Sequence, residues 1–453
     1  MEWLYAKNEE DKYKLNGVQT LALGFIALII LGGLILSLPI SSASGESTNL
    51  LDALFTSTSA VCVTGLVTLD TGTHWNAFGQ TVIILLIEIG GLGFMSFTTF
   101  VAILLGKKIT LRDRLIVQEA LNTFSIQGLV RMVKYVLGFT FAVQFFGALL
   151  LSTQFIPEFG LKKGFFYSIF HSISAFCNAG FDLFGKFSSL TGFSSNIAVI
   201  LTISALIIIG GLGFTVWLEI YSYKYKGLKK LSVHAKIVLL ITGILLIGGF
   251  VAMFFIEYSN PETIGGMGLK DKLLNSFFAS VSPRTAGFNS VSTDGMTTAG
   301  KFLTIILMFI GGSPGSTAGG LKTATFGLVI LTVISVIKGR EDTEAFGRRF
   351  AKELVYKAFA LLIIAMGLII VVTMLLSVTE KGIEFIDLLY EATSAFATVG
   401  LTTGVTQKLS TVGRIIIMIM MYFGRVGPLT VALALTNRKK KVDYKYPEGK
   451  ILI

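Results

Sequence analysis

Four stretches of this chain repeat one another. LLDALFTSTSAVCVTGL ends at Leu66, FFYSIFHSISAFCNAGF at Phe181, KLLNSFFASVSPRTAGF at Phe288 and FIDLLYEATSAFATVGL at Leu401, and the four align without gaps. Each closes on Gly and a large apolar residue, the glycines being Gly65, Gly180, Gly287 and Gly400. Three carry Ser-Ala six and five positions earlier, at Ser59, Ser174 and Ser394, while the third has Val281-Ser282-Pro283. A second motif follows each: GGLGF at Gly90, GGLGF at Gly210, GGSPG at Gly311 and GRVGP at Gly424, offset by 25, 30, 24 and 24 residues. Two linked motifs at held spacing mark a true internal repeat, which constrains the fold more than any single segment does.

The repeats lie in apolar sequence. Apolar residues make up 53% of the chain, charged residues 14%, and mean hydropathy is +0.75. A soluble domain carries about 25% charge, so the chain is expected to be an integral membrane protein, with several runs near the roughly 20 residues that cross a bilayer. Leu21 to Ile40 lacks a convincing small-residue cleavage site and begins the recurring pattern, which makes it a retained helix rather than a signal peptide. The net charge of +11 does not point to nucleic acid once mapped. Of 38 Lys and Arg, 26 fall at the N-terminus, Lys107 to Lys134, Lys224 to Lys236, Lys338 to Lys357 and Arg438 to Lys450. Acids dominate the intervening connections, as at Glu46, Asp52 and Asp70 or Glu380, Glu384, Asp387 and Glu391. The positive-inside rule makes the basic segments and both termini cytoplasmic, with docking of a cytoplasmic partner as their other use. Enzyme chemistry has little to stand on: two Cys, three scattered His, no Walker loop and no zinc spacing. GGLGF inside an apolar helix is not a dinucleotide fingerprint.

Each unit therefore has the pattern helix, short segment, helix. About a dozen helical residues are too few to cross, which suits a re-entrant helix. The expected fold is all-α: eight transmembrane helices and four re-entrant pore helices, in four parallel-related repeats around a pseudo-fourfold central pore. The repeats cover 17–105, 131–223, 232–337 and 351–436, with pore loops at 49–66, 164–181, 271–288 and 384–401. Cytoplasmic segments are 1–16, 106–130, 224–231, 338–350 and 437–453.

Irregular backbone at membrane depth survives where protein buries it or water fills a cavity. Four such loops at one axis present carbonyls to one another, and rings of carbonyls replace the hydration shell of a cation. Gly supplies the φ > 0 that turns successive carbonyls to one side, and the C-terminal dipole of each short helix favours positive charge. The innermost ring is expected from Val63, Thr64 and Gly65, Asn178, Ala179 and Gly180, Thr285, Ala286 and Gly287, and Thr398, Val399 and Gly400, chiefly through main chain. Glycines that merely close tight turns are the plainer alternative. Cys62 and Cys177, three before their Gly, are expected to pack as small side chains. Arg284 beside a cation path is expected to point away, an acid on a neighbouring re-entrant helix being one candidate partner.

The loops VTGL, NAGF, TAGF and TVGL, with GGLGF and a glycine-broken helix in the third unit, resemble the Trk/Ktr/HKT superfamily of potassium transporters over nearly the whole chain. Eight helices without extra N-terminal ones are most similar to the membrane subunit of bacterial Ktr, the KtrB/KtrD type. The resemblance implies K⁺ as the transported ion, and Gly in all four filters, Gly65 included, is the family's K⁺-favouring pattern. It implies an intramembrane gate at Gly311, Gly312, Ser313, Pro314, Gly315, Ser316, Thr317, Ala318, Gly319 and Gly320, with Arg425 beside it as a barrier to cations. The residues agree: five Gly, one Pro and three Ser/Thr break one apolar passage, which suits a polar loop that moves across a wet cavity, a rigid kink being the alternative. Glu88 lies one turn before the site equivalent to Arg425 and is expected either to pair with it or to face the pore or another polar group. The family further implies a homodimer in the bacterial cell membrane above a cytoplasmic RCK ring (KtrA/KtrC type) that binds ATP or ADP. No organic cofactor or transition metal is expected in this chain. Competing readings are a Na⁺- or H⁺-coupled secondary carrier and the K⁺-translocating subunit of a P-type pump.

Overall fold

In the computed structural model, residues 17–93, 129–223, 227 and 230–427 are described. The expected cytoplasmic segments 1–16 and 437–453, most of 106–130 and the ends of the first and fourth repeats lie outside them. Among the described residues the regular structure is helical apart from a two-stranded hairpin, β1 (Glu344–Ala345) with β2 (Arg348–Arg349), inside the expected loop 338–350.

The same sequence of elements recurs four times. A long helix leads each unit: α1 (Gly17–Ser37), α4 (Leu129–Phe159), α8 (Val233–Glu257) and α12 (Lys352–Thr379). These four are long and apolar enough to cross a bilayer. Their outer faces carry large apolar side chains such as Phe145, Ile247 and Ile363, each more than 60% exposed, as a lipid-facing surface requires. A short helix follows: α2 (Leu50–Cys62), α5 (Leu161–Phe176), α9 (Leu269–Val281) and α13 (Phe385–Ala397). Serines fasten three of these to the long helix before them, Ser57 donating to the Ile29 carbonyl at 2.7 Å, Ser172 to Gln144 at 2.6 Å and Ser280 to Leu246 at 2.8 Å. The next helix is α3 (Ala77–Leu92), α6 (Ile197–Gly211), α10 (Thr298–Phe309) or α14 (Thr411–Val426).

Those last helices begin alike. Each has a polar cap, Asn76, Asn196, Thr297 or Ser410, whose side chain accepts a first-turn amide. Such a cap is worth about 1 kcal/mol. Every cap also reaches back to the end of its unit's long helix. Asn76 Nδ2 donates to the Ile40 carbonyl at 2.8 Å and Asn196 Nδ2 to Gln154 Oε1 at 3.1 Å. Thr297 Oγ1 donates to Glu257 at 2.7 Å and Ser410 Oγ to Glu380 at 2.6 Å. One clamp, built from four different residue pairs, closes the same end of each unit.

They also end alike, and here the structure departs from expectation. The break was expected in the third unit alone. Yet the fourth residue of the second motif, Gly93, Gly213 or Gly427, takes φ of 84°, 91° or 93° and stops α3, α6 and α14. In the second unit the chain resumes as α7 (Phe214–Tyr223) after a 93° bend. The third unit differs in what fills the break: residues 310–322 run without helix before α11 (Thr323–Ile337). The opening Gly of the motif has a packing reason. A Cβ on Gly90, Gly210 or Gly424 would strike the carbonyl of Val61, Phe176 or Phe396 in the last turns of the short helix.

Candidate ion pathway

The four corners that end the repeated segments share one unusual backbone. The residue two before each Gly has positive φ, Val63 at 58°, Asn178 at 60°, Thr285 at 70° and Thr398 at 50°, and so does the Gly, at 95°, 71°, 76° and 93°. Alternating left- and right-handed residues turn successive carbonyls toward one side. Three of the four non-Gly residues are β-branched, for which a left-handed conformation costs on the order of 1–3 kcal/mol. Strain repeated four times at one place is a mark of function rather than of folding convenience.

The central amide of each corner is spent elsewhere. Thr64 N donates to Ser59 O at 2.8 Å, Ala179 N to Ser174 O at 2.8 Å, Ala286 N to Ser282 O at 2.9 Å and Val399 N to Ser394 O at 2.9 Å. The serine hydroxyls add a second brace. Ser59 and Ser394 accept the amides of Gly65 and Gly400 at 2.9 and 3.1 Å, while Ser174 donates to Phe181 O at 2.8 Å. Ser282, one position out of register in sequence, donates to the equivalent carbonyl of Phe288. With the N–H groups turned into the short helices, oxygen is left on the opposite side.

That side is shared. A Cβ on Gly65 would meet the Ala179 carbonyl; on Gly180, the Ala286 carbonyl at 2.8 Å; on Gly287, the Val399 carbonyl at 2.5 Å; on Gly400, the Thr64 carbonyl. Each corner thus abuts the next, and the fourth returns to the first. The corners close a ring in chain order, with units one and three opposite, and two and four opposite. Thr64, Thr285 and Thr398 also hold buried hydroxyls without a hydrogen-bond partner among the described residues. Their side-chain oxygens were not singled out from sequence, where the ring was assigned chiefly to main chain.

Residues 310–322 form an Ω-shaped loop pinched at its neck, Gly311 N donating to Leu321 O at 2.9 Å and Thr323 N to Gly312 O at 3.0 Å. One flank lies on the second unit: Ser313 N donates to Gly211 O at 2.9 Å, Gly315 O accepts from Phe214 N at 2.8 Å, and Thr317 Oγ1 is 3.1 Å from Phe176 O. The other lies on the fourth, where a Cβ on Gly319 would strike Thr398 and Gly320, at a positive φ of 67°, sits tightly against Ala397. The loop therefore crosses between opposite members of the ring, at the deepest turn of the corners.

Arg425 completes the enclosure. Its guanidinium donates to the Thr317 carbonyl and to the carbonyls of Gly90 and Gly91, the last at 3.1 Å. Of the two placements expected for Glu88, pairing with Arg425 or contact with another polar group, the structure has the second. Because α3 stops at Leu92, the carbonyls of its last turn carry the negative end of the helix, and they serve the arginine in place of an acid. Glu88 faces the second unit instead, accepting from Gln144 Nε2 at 2.8 Å and from the Cys177 thiol at 3.2 Å. Cys177 is thus a donor as well as a packing residue; Cys62 is buried and free. Arg284 finds no acid either. Its Nη2 lies 3.4 Å from the Gly311 carbonyl at the loop neck. Lys322, missed from sequence, donates to the Ala318 carbonyl at 2.6 Å. An ammonium inside an apolar passage was the available signal.

A membrane-embedded, all-helical transport protein, with main chain rather than a catalytic set at its centre, is the class these features define. The chain matches the family model described as a cation transport protein, TrkH, over residues 3–443, and it belongs to that family. It is 47% identical to the potassium/sodium uptake protein NtpJ of Enterococcus hirae, over 97% of this chain and 98% of that protein. It is 41% identical to Ktr system potassium uptake protein B of Bacillus subtilis, over 96% of each, and 38% identical to that of Vibrio alginolyticus, over 98% of this chain and 96% of the relative. The crystal structure of the potassium transporter TrkH from Vibrio parahaemolyticus matches the fold with a TM-score of 0.72 at 18% identity, covering 94% of this chain and 86% of that one.

Proposed function

We propose that this chain is the ion-translocating subunit of a Ktr-type potassium uptake system in the bacterial cell membrane. In this reading the four units supply eight spans and four re-entrant helices about one axis, and both termini are cytoplasmic. The residues 63–65, 178–180, 285–287 and 398–400 form the selectivity filter. The observation that carries the reading is the closed ring of corners, each Gly against the next unit's carbonyl, with the amides withdrawn. Ring oxygens of this kind replace the water of a dehydrated cation. The unsatisfied Thr64, Thr285 and Thr398 hydroxyls add oxygen where the main chain is already committed.

Residues 311–320 are the gate and Arg425 its latch. The loop crosses between opposite corners, and Arg425 ties it to the first unit, so a cation leaving the ring meets both a barrier of chain and a positive charge. Two copies of the chain, resting on a cytoplasmic ring of nucleotide-binding RCK subunits, make the regulated system; the Ktr names of the relatives support this. A sodium-linked carrier is the second reading. It is favoured by the relative named for both potassium and sodium, and by an ionisable Glu88 buried between units one and two. Uptake of K⁺ and Na⁺ by transport-deficient cells expressing the chain, with and without a candidate ring protein, separates them. Uptake of K⁺ without Na⁺, restrained by the ring protein and its nucleotide, is the expected result; strict dependence of K⁺ uptake on a Na⁺ gradient favours the carrier.

A further inference from the structure

Asn178 differs from the other three left-handed corner residues in having a side chain that bonds beyond its own loop. Its Nδ2 donates to the Arg284 carbonyl at 3.3 Å, the peptide just before the third corner. Its Oδ1 accepts from the Thr317 hydroxyl at 3.1 Å, in the middle of the crossing loop. That hydroxyl shares its hydrogen with the Phe176 carbonyl, also at 3.1 Å, and the Thr317 carbonyl is one of those held by Arg425. Both side chains are buried, with no competing water-exposed surface. Among the described residues the other corners have no such link: Val63 has no polar side-chain atom, and the hydroxyls of Thr285 and Thr398 are without partners. One amide therefore joins the second corner, the third corner and the loop residue that the arginine holds.

We propose that the Asn178 side chain is a positioning group that couples the selectivity filter to the gate. With the loop in place, the Thr317 hydroxyl fixes the amide, and the amide fixes the peptide leading into the third corner. When the loop withdraws, Oδ1 loses its donor and the restraint on both corners slackens, so gate position alters ion discrimination. This rests on residues 311–320 being the gate.

The test is a double-mutant cycle on the full chain, reconstituted in liposomes without a regulatory ring and assayed for K⁺ and Na⁺ flux. Asn178→Gly keeps the left-handed backbone while removing the amide. Thr317→Val removes the hydroxyl. Each single variant is expected to raise K⁺ flux about fivefold, the effect of one hydrogen bond, and the double variant to rise no further. Thr317→Val, which changes no filter residue, is also expected to lower the K⁺/Na⁺ flux ratio, and Thr317→Ser to recover both the low flux and the ratio. A double variant near 25-fold, roughly the product of two independent bonds, or a flux ratio untouched by Thr317→Val, would overturn the coupling. If shortening of 311–320 raises flux in the same liposomes, the gate stands and the coupling alone has failed. If neither shortening nor Thr317→Val raises flux, both fall.

Discussion

Gly65→Ser probes the ring at a position with little tolerance. Gly65 holds φ of 95°, and an added Cβ would lie against the Ala179 carbonyl, with Gly180 Cα 3.3 Å away. A serine there meets two costs: a left-handed conformation, on the order of 1–3 kcal/mol, and a clash with backbone that has no free rotamer to yield. The carbonyl of Ala179 has to move, and it is one of the four oxygens around which the ring closes. A carbonyl contact to a charged group is worth about 1.5–3 kcal/mol. Its loss for K⁺ but not for the smaller, more strongly hydrated Na⁺ amounts to roughly a 10- to 100-fold fall in the K⁺/Na⁺ flux ratio. The assay is paired K⁺ and Na⁺ uptake by transport-deficient cells, normalised to membrane abundance. Gly45→Ser is the control, because Gly45 shares a positive φ of 72° but has open space around it. Its ratio is expected to match the parent. An unchanged ratio in Gly65→Ser at normal abundance would refute the reasoning, since no rearrangement that accommodates a Cβ there leaves the Ala179 carbonyl where it is.

Deleting part of Gly311 to Gly320 is expected to raise basal K⁺ flux and blunt its response to the regulatory ring, measured as uptake with and without the ring protein; unchanged flux at normal abundance removes the gate. Arg425→Ala and Glu88→Ala are expected to change K⁺ uptake independently, because the two side chains have different partners. The double variant should equal the sum of the singles within about 0.5 kcal/mol, and a large coupling would restore the ion pair. Lys322→Met removes the bond that folds the end of the loop back on Ala318, and a severalfold rise in leak is expected, with Lys322→Arg closer to the parent. Ser410→Ala cuts a cap and its tie to Glu380, with an expected loss of about 1–2 kcal/mol seen as a lower Tm in detergent.

The corners and second motifs were legible in sequence because their geometry admits one residue type. Where a Cβ would strike backbone, as at Gly90, Gly210 and Gly424, glycine repeats and the repeat becomes visible. The clamps at the start of each unit's last helix were not legible. Asn76, Asn196, Thr297 and Ser410 perform one task with different atoms, so no identity survives to align. Arg425 misled for another reason. A sequence search for its partner looks for an acid, and the partners are carbonyls freed by a helix end whose place only coordinates disclose. The left-handed Val63, Thr285 and Thr398 were hidden because composition argues against that conformation in β-branched residues.

If main-chain oxygens of four corners strip and hold a potassium ion, that ion occupies the ring axis. Anomalous diffraction from crystals soaked in Rb⁺ or Tl⁺ tests it most directly. The expected result is a peak on the ring axis, among the carbonyls of Thr64, Ala179, Ala286 and Val399, that disappears when Na⁺ replaces the soaking ion. Density confined to the side-chain carboxylate of Glu88, with none in the ring of a protein that transports, would contradict it.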